Sequence, residues 1–210
     1  MRIITGIYKG CHFDIPRSFK ARPTTDFAKE NIFNVLIGYM DFEGAKALDL
    51  FSGTGSITLE LLSRGCAEVV SVELDRDHHR FIKACVEKLS QGGGRDLKTP
   101  TKNIGITNTD EREDAPSTPE RSGHVLPLRA DVFRFVKSCK QQFDFIFADP
   151  PYALPELPTL PHTILNANIL RPEGIFVLEH GKDNDFSSLP HFLEHRVYGS
   201  VNFSIFRSEK

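Results

Sequence analysis

Residues Phe143 to Ala148 form an almost unbroken apolar run that stops at Asp149-Pro150-Pro151-Tyr152. A short apolar run bounded this sharply reads as a strand buried on both faces. Two consecutive prolines have no N–H to donate and fixed φ angles, so no strand or helix continues through them. The chain therefore sets a carboxylate, carbonyls without ladder partners and an aromatic ring at the carboxyl end of a central strand. Open α/β sheets bind their ligands there. A carboxylate and a carbonyl can both accept from one NH₂ group, and an aromatic face can stack on a planar base. The arrangement suits the exocyclic amine of a nucleobase.

A second strand of the same kind lies upstream. Ala47 to Phe51 runs directly into Ser52-Gly53-Thr54-Gly55, and Ile57, Leu61 and Leu62 then begin a helix that Gly65 ends. Strand, glycine loop and helix give the Gly-x-Gly pattern its meaning, because the missing Cβ atoms let a loop approach a ligand. Asp49 sits just before the loop, and Glu73 follows Gly53 by twenty residues at the end of the next strand. An acid at that place meets a ribose diol in Rossmann-type sheets. Gly53 and Gly55 could equally form only a tight turn. Thr58 stands where dinucleotide folds want a third small residue, and the loop lacks the lysine of a P-loop. Asp131, after the third strand, can accept from an adenine amino group or cap the following helix, or do both. A ribose acid and an adenine acceptor without a phosphate-binding lysine favour S-adenosylmethionine.

The rest of the chain supports one α/β domain of 210 residues, 40% hydrophobic and 26% charged. Arg2 to Thr5 and Cys11 to Ile15 read as a small hairpin in a locally basic segment, either a solvated β appendage or a platform for phosphates. Thr24 or Thr25 caps a helix whose apolar face is Ala28, Ile32, Val35, Leu36 and Tyr39. Further strands are expected at 68–72, 125–129, 174–179, 195–198 and 201–207. Helices are expected around Phe81 to Leu89, from Val132 to Lys140 and from Glu156 to Asn168. Strands and helices alternate up to residue 179, which predicts a mostly parallel, doubly wound sheet with antiparallel pairing at its C-terminal edge. Residues 91–123 lack hydrophobic periodicity and read as a surface insertion. The net charge of −2 makes any nucleic-acid contact a matter of local basic patches. No run approaches a membrane span and the N-terminus has no signal-peptide core, so a cytoplasmic protein is expected. The four cysteines form no C-x-x-C pair, and the eight histidines, His78-His79 included, form no ligand cluster, so free thiols and no metal are expected.

Asp49-Leu50-Phe51-Ser52-Gly53-Thr54-Gly55 together with Asp149-Pro150-Pro151-Tyr152 resembles the amino-directed, S-adenosylmethionine-dependent methyltransferases. Arg22-Pro23-Thr24-Thr25-Asp26, then Lys29-Glu30 and Ile32-Phe33-Asn34, narrows the resemblance to the bacterial RsmD family. It covers nearly all of the chain except residues 91–123. It implies a Rossmann-like class I fold with a seven-stranded sheet and helices on both faces, preceded by a hairpin and a helix over residues 1–45. The implied activity is transfer of a methyl group to the N2 amine of a guanine in 16S rRNA of the small ribosomal subunit, by a monomer. Asp49, Phe51, Gly53, Gly55, Glu73, Asp131 and Asp149 would face the cofactor. Asp149, the Pro150 carbonyl and Tyr152 would hold the guanine, with Pro151, Arg22 and Thr24 near the substrate. Two other readings share these motifs: a DNA adenine or cytosine amino-methylase, and a non-catalytic cofactor-binding protein that aids ribosome assembly.

Overall fold

The computed structural model describes residues 1–19, 25–91 and 123–209. In chain order the elements are α1 (Asp26–Leu36), β1 (Lys46–Leu50), α2 (Ser56–Ser63), β2 (Glu68–Glu73), α3 (Arg76–Ser90) and β3 (His124–Arg129). They continue with α4 (Val132–Ser138), β4 (Phe143–Ala148), α5 (Leu160–Leu165), β5 (Leu170–His180), β6 (Phe192–Tyr198) and β7 (Val201–Arg207). One seven-stranded sheet runs in the order β3-β2-β1-β4-β5-β7-β6. The first five strands are parallel, while β7 is antiparallel to β5 and β6 to β7. This is the α/β, mostly parallel sheet expected.

The pleat of β1 and β4 explains the two helical layers, because successive side chains point to opposite faces. Ala47, Phe145 and Phe147 join α1, α2 and α3 through Ile32, Phe33, Leu59 and Cys85. Leu48, Leu50, Ile146 and Ala148 join α4 and α5 through Val132, Val136 and Ile164. The sheet order reverses beside β1: the chain goes outward to β2 and β3, then returns to β4 on the other side. The crevice where neighbouring connections diverge lies at the carboxyl ends of β1 and β4.

One expectation changes. The helix expected over Glu156 to Asn168 is a 3₁₀ turn, Leu157–Thr159, followed by the short α5. Pro155, Pro158 and Pro161 cannot donate to the preceding turns, which confines the helix to six residues. The N-terminal hairpin pairs antiparallel about the Arg2–His12 bridge, with Ile3 N donating to the Cys11 carbonyl at 3.0 Å and Phe13 N to the Met1 carbonyl at 2.9 Å. It also docks on α2, where Ile4 N donates to Glu60 Oε2 at 2.7 Å, Thr5 N to Glu60 Oε1 at 3.1 Å and Tyr8 N to Ser63 Oγ at 3.0 Å. His78 and His79 are half-buried, and the His78 ring lies 4.3 Å from that of Phe19. The 91–123 insertion falls almost wholly outside the described residues.

Lys29 fastens the N-terminal segment to the sheet from the other side. It is fully buried, and its Nζ donates to the Arg2 carbonyl at 2.7 Å and to Ser56 Oγ at 3.0 Å. Glu60, equally buried, lies 3.9 Å away and also receives Arg64 Nε at 2.9 Å. At the sheet's outer edge, Pro127 of β3 pairs with Ser71, and its carbonyl lies 3.2 Å from His79 Nε2 on α3. Among the described residues no helix is long and apolar enough to cross a membrane, and no group of three or more potential metal ligands occurs.

Candidate active site

The carboxyl ends of β1, β2, β4 and β5 open on one cavity of about 1110 Å³. A smaller one, about 380 Å³, lies at the opposite ends of the strands around Ala45, Asp144 and Arg171. The larger cavity is where the sheet order reverses, and it gathers most of the residues singled out from the sequence.

At the end of β1, Asp49 is only 1% exposed and accepts a 2.5 Å hydrogen bond from Thr58 Oγ1 on α2. Burial pushes its carboxyl up to about 7; the Thr58 hydrogen bonds oppose the rise and the charge of Glu73 adds to it. Thr58 thus has a task where dinucleotide folds place a small residue. Phe51 follows with φ +58°, a left-handed backbone that costs a non-glycine residue roughly 1–2 kcal/mol. Its ring meets Phe133 of α4 at 6.3 Å and lines the cavity. Such strain, held in place by its surroundings, gathers at ligand sites.

The two loop glycines divide the work. Gly53 lines the cavity, and a Cβ there would meet nothing nearer than the Phe51 carbonyl oxygen at 3.8 Å. Gly55 turns away from it. It caps α2 with φ +75°, and a Cβ would lie 2.9 Å from Ile82 Cγ1 of α3. Gly55 therefore lets two helices close on each other and is not a wall of the cavity.

Glu73 ends β2 with its carboxylate held by two backbone donors, Gly53 N and Asp75 N, each at 2.7 Å. Each carboxylate oxygen keeps acceptor capacity after one such bond. Asp131 caps α4 by accepting from Arg134 N at 2.9 Å and also lines the cavity, so both readings of its place hold together.

At the end of β4, Asp149 N donates to the Leu50 carbonyl at 3.2 Å, which holds the two strand ends side by side. Pro150 is buried, Pro151 is exposed, and Leu154 N closes a turn on the Pro151 carbonyl at 2.8 Å. The turn presents Tyr152, 47% exposed, with its hydroxyl donating to Glu179 Oε1 at 3.1 Å. Burial raises the pKa of that phenol, and the charges of Glu179 and Asp149 raise it further, so it keeps its proton. Arg22 and Thr24 lie outside the described residues, while Thr25, the cap of α1, does reach the cavity.

Glu179, and the β6–β7 turn at Ser200 and Val201, are walls that sequence reasoning missed. Glu179 did carry a signal: it ends the apolar run Ile175 to Leu178 as Asp149 ends Phe143 to Ala148. The turn carried none, because it reaches the cavity only through the antiparallel pairing of β7 to β5.

The family model described as conserved hypothetical protein 95 matches residues 1–125 and 121–207. A Bacillus subtilis relative named "Putative rRNA methyltransferase YlbH" is 31% identical over 183 residues, covering 87% of this chain and 84% of the relative. Ribosomal RNA small subunit methyltransferase D of Escherichia coli is 25% identical, covering 100% of this chain and 90% of the relative. The fold is also that of a Thermus thermophilus 16S rRNA N2 methyltransferase, RsmC, solved with AdoMet and guanosine. That likeness has a TM-score of 0.61 at 18% identity over 91% of this chain and 45% of the other. With a match from its first residue to residue 207, this chain belongs to the conserved hypothetical protein 95 family, the RsmD family of rRNA methyltransferases.

Proposed function

We propose that this protein methylates the exocyclic N2 amine of a guanine in 16S rRNA of the small ribosomal subunit, with S-adenosylmethionine as donor. One observation carries the reading: the glycine loop after β1, the acid ending β2 and the Asp149-Pro150-Pro151-Tyr152 turn after β4 all face the same cavity. The relatives bearing rRNA methyltransferase names, and the fold shared with an N2 methyltransferase, support the choice of substrate.

The residues present fit the cofactor. Glu73, oriented by two backbone N–H groups, suits a ribose diol. Ile57, Val132 and Phe133 give apolar walls for a flat base, beside the Asp131 carboxylate. Asp49, a buried carboxyl poised near neutrality, suits the cationic methionine end. At about 1110 Å³ the cavity exceeds the usual 300–1,000 Å³ of a small-ligand site, leaving room for a base beside the cofactor.

S-adenosylmethionine supplies an electrophilic methyl group on a sulfonium. The protein's task is to aim a poor nucleophile, because the guanine N2 lone pair is delocalised into the ring. Asp149 and the Pro150 carbonyl accept the two N–H bonds of that amine and turn its lone pair toward the methyl. Holding two reactants in line supplies up to about 7–11 kcal/mol. As the C–N bond formed, the methyl–sulfur bond would break, S-adenosylhomocysteine would leave, and the amine proton would pass to the Asp149 carboxylate that accepts it, so no prior deprotonation is needed. Tyr152 offers its exposed ring to a base taken out of its stack.

The same reading has the protein act as a monomer in the cytoplasm, where it would meet the rRNA. Purified protein incubated with methyl-labelled S-adenosylmethionine and small-subunit rRNA, unmodified small subunits or duplex DNA tests the reading. N2-methylguanosine from an RNA-containing acceptor is expected. Methylated adenine or cytosine from DNA would make it a DNA amino-methylase, and binding to subunits without cofactor use would make it an assembly factor.

A further inference from the structure

We propose that Glu179 reads the N1–H of the target purine and so fixes guanine, rather than any purine bearing a 2-amino group, as the base this protein accepts. The inference rests on the N2-methylation reading and names the residue that gives it base specificity.

Glu179 lies near the end of β5, beside β4. The register pairs Ala148 with Leu178, so the next step along both strands sets Glu179 alongside Asp149. It is 4% exposed, yet it forms part of the wall of the cavity that holds Asp149, Pro150 and Tyr152. Its Oε1 accepts the Tyr152 hydroxyl at 3.1 Å, and the Gly181 backbone packs against the same ring, where a Cβ would lie 3.2 Å from Tyr152 Cδ2. The carboxylate is thus held in place by the residue whose ring stacks the base. A carboxylate has about four acceptor sites and can take several donors at once.

The edge of guanine matches this pair of acids. Its Watson–Crick side carries the N2 amine and, directly beside it, N1–H: adjacent donors in a row. Asp149 and the Pro150 carbonyl take the amine, and the neighbouring acid, Glu179, takes N1–H. A purine with an unprotonated N1 would turn a lone pair toward a buried carboxylate. That contact is repulsive, acceptor against acceptor, which is how a hydrogen-bonding site rejects a close analogue strongly.

The discriminating substrate is 2,6-diaminopurine. It keeps the 2-amino group and replaces N1–H by an N1 acceptor. Small-subunit RNA is prepared with guanine or 2,6-diaminopurine at the position mapped by methyl labelling. Single-turnover transfer is then measured for the wild type, Glu179→Gln and Tyr152→Phe, with melting and cofactor binding checked for each. The wild type is expected to prefer guanine by at least about 100-fold. Glu179→Gln, whose amide can donate to N1, is expected to narrow the preference to within about tenfold. Tyr152→Phe should be slower while keeping the wild-type preference. If the wild type methylates both bases alike, the proposal fails whatever the variants do. If Glu179→Gln slows both in proportion, Glu179 only anchors Tyr152 and the proposal is overturned. Absence of N2-methylguanosine in the wild-type guanine arm would instead sink the N2-methylation reading, and this inference with it.

Discussion

Lys29 and Glu60 are fully buried between α1, α2 and the N-terminal segment, while Asp49 and Glu179 are buried almost as deeply at strand ends that open on the cavity. In the first cluster each charge meets its opposite, and the remaining donors and acceptors are used up by Arg64, Ser56 and the backbone of residues 2, 4 and 5. In the second, four acids are gathered at one opening. Asp49, Glu73, Asp149 and Glu179 stand at the carboxyl ends of four adjacent strands. Buried charge that closes on itself holds a fold together. Acids gathered at a cavity are placed to meet a ligand that offers donors.

The largest effect expected of this contrast is on stability. Lys29→Met leaves Glu60 with Arg64 alone and takes the buried donor from the Arg2 carbonyl and Ser56, and should cost about 3 kcal/mol in urea unfolding. Glu179→Gln should cost about 1 kcal/mol or less by the same measurement, since it removes a charge from the gathered acids. Equal costs would break the comparison. Next comes Asp149→Ala: methyl transfer should fall at least about 100-fold in single-turnover assays while cofactor affinity by calorimetry stays within about threefold. Transfer near the wild-type rate would remove Asp149 from the chemistry.

A smaller effect concerns Asp49 and pH. Its carboxyl titrates at about 7 in the folded chain, against 3.8 for the ordinary group. Over that interval the folded state binds the proton and the unfolded state does not. The stability this group contributes is full below the ordinary value and is lost as pH rises through about 7. Melting temperatures between about pH 5 and pH 8 should therefore decline through this contribution in the wild type and be flatter in Asp49→Asn. Cofactor affinity should run the other way, because a cationic ligand favours the carboxylate. It should rise by up to about tenfold per pH unit toward 7, and Asp49→Asn should flatten that slope. The smallest effect sharpens the comparison: Tyr152→Phe keeps the ring and loses only the bond to Glu179, so transfer should slow about threefold.

Much of this was legible in the chain because strands β1, β2 and β4 announce themselves twice, by apolar content and by the acid or glycine loop that ends them. Asp49, Glu73 and Asp149 could be aligned on one sheet edge from alternation alone. The roles of Gly53 and Gly55 could not be separated, since the difference lies in Ile82, a residue of another helix. The left-handed backbone at Phe51 leaves no mark in a phenylalanine codon position that could equally be extended. The buried Lys29–Glu60 pair was equally silent. On a helix, a lysine three places before an apolar residue reads as solvated, and only the return of residues 1–8 over α2 buries it. The shortened α5 was readable from its three prolines and was over-extended by attention to the apolar positions among them.

Pro127 bears on how this molecule avoids its own copies. Within a strand, a residue's N–H and C=O point the same way. The Pro127 carbonyl meets His79 rather than a strand, so that side of β3 faces outward there. At this point the margin of the sheet has no hydrogen to give, and its one oxygen is already engaged by a ring from α3. A neighbouring molecule sliding along that margin would find the ladder interrupted midway, and stacking of sheets end to end into fibres loses its template. A single imino acid and one imidazole thus act on colloidal behaviour at high concentration, far from the chemistry.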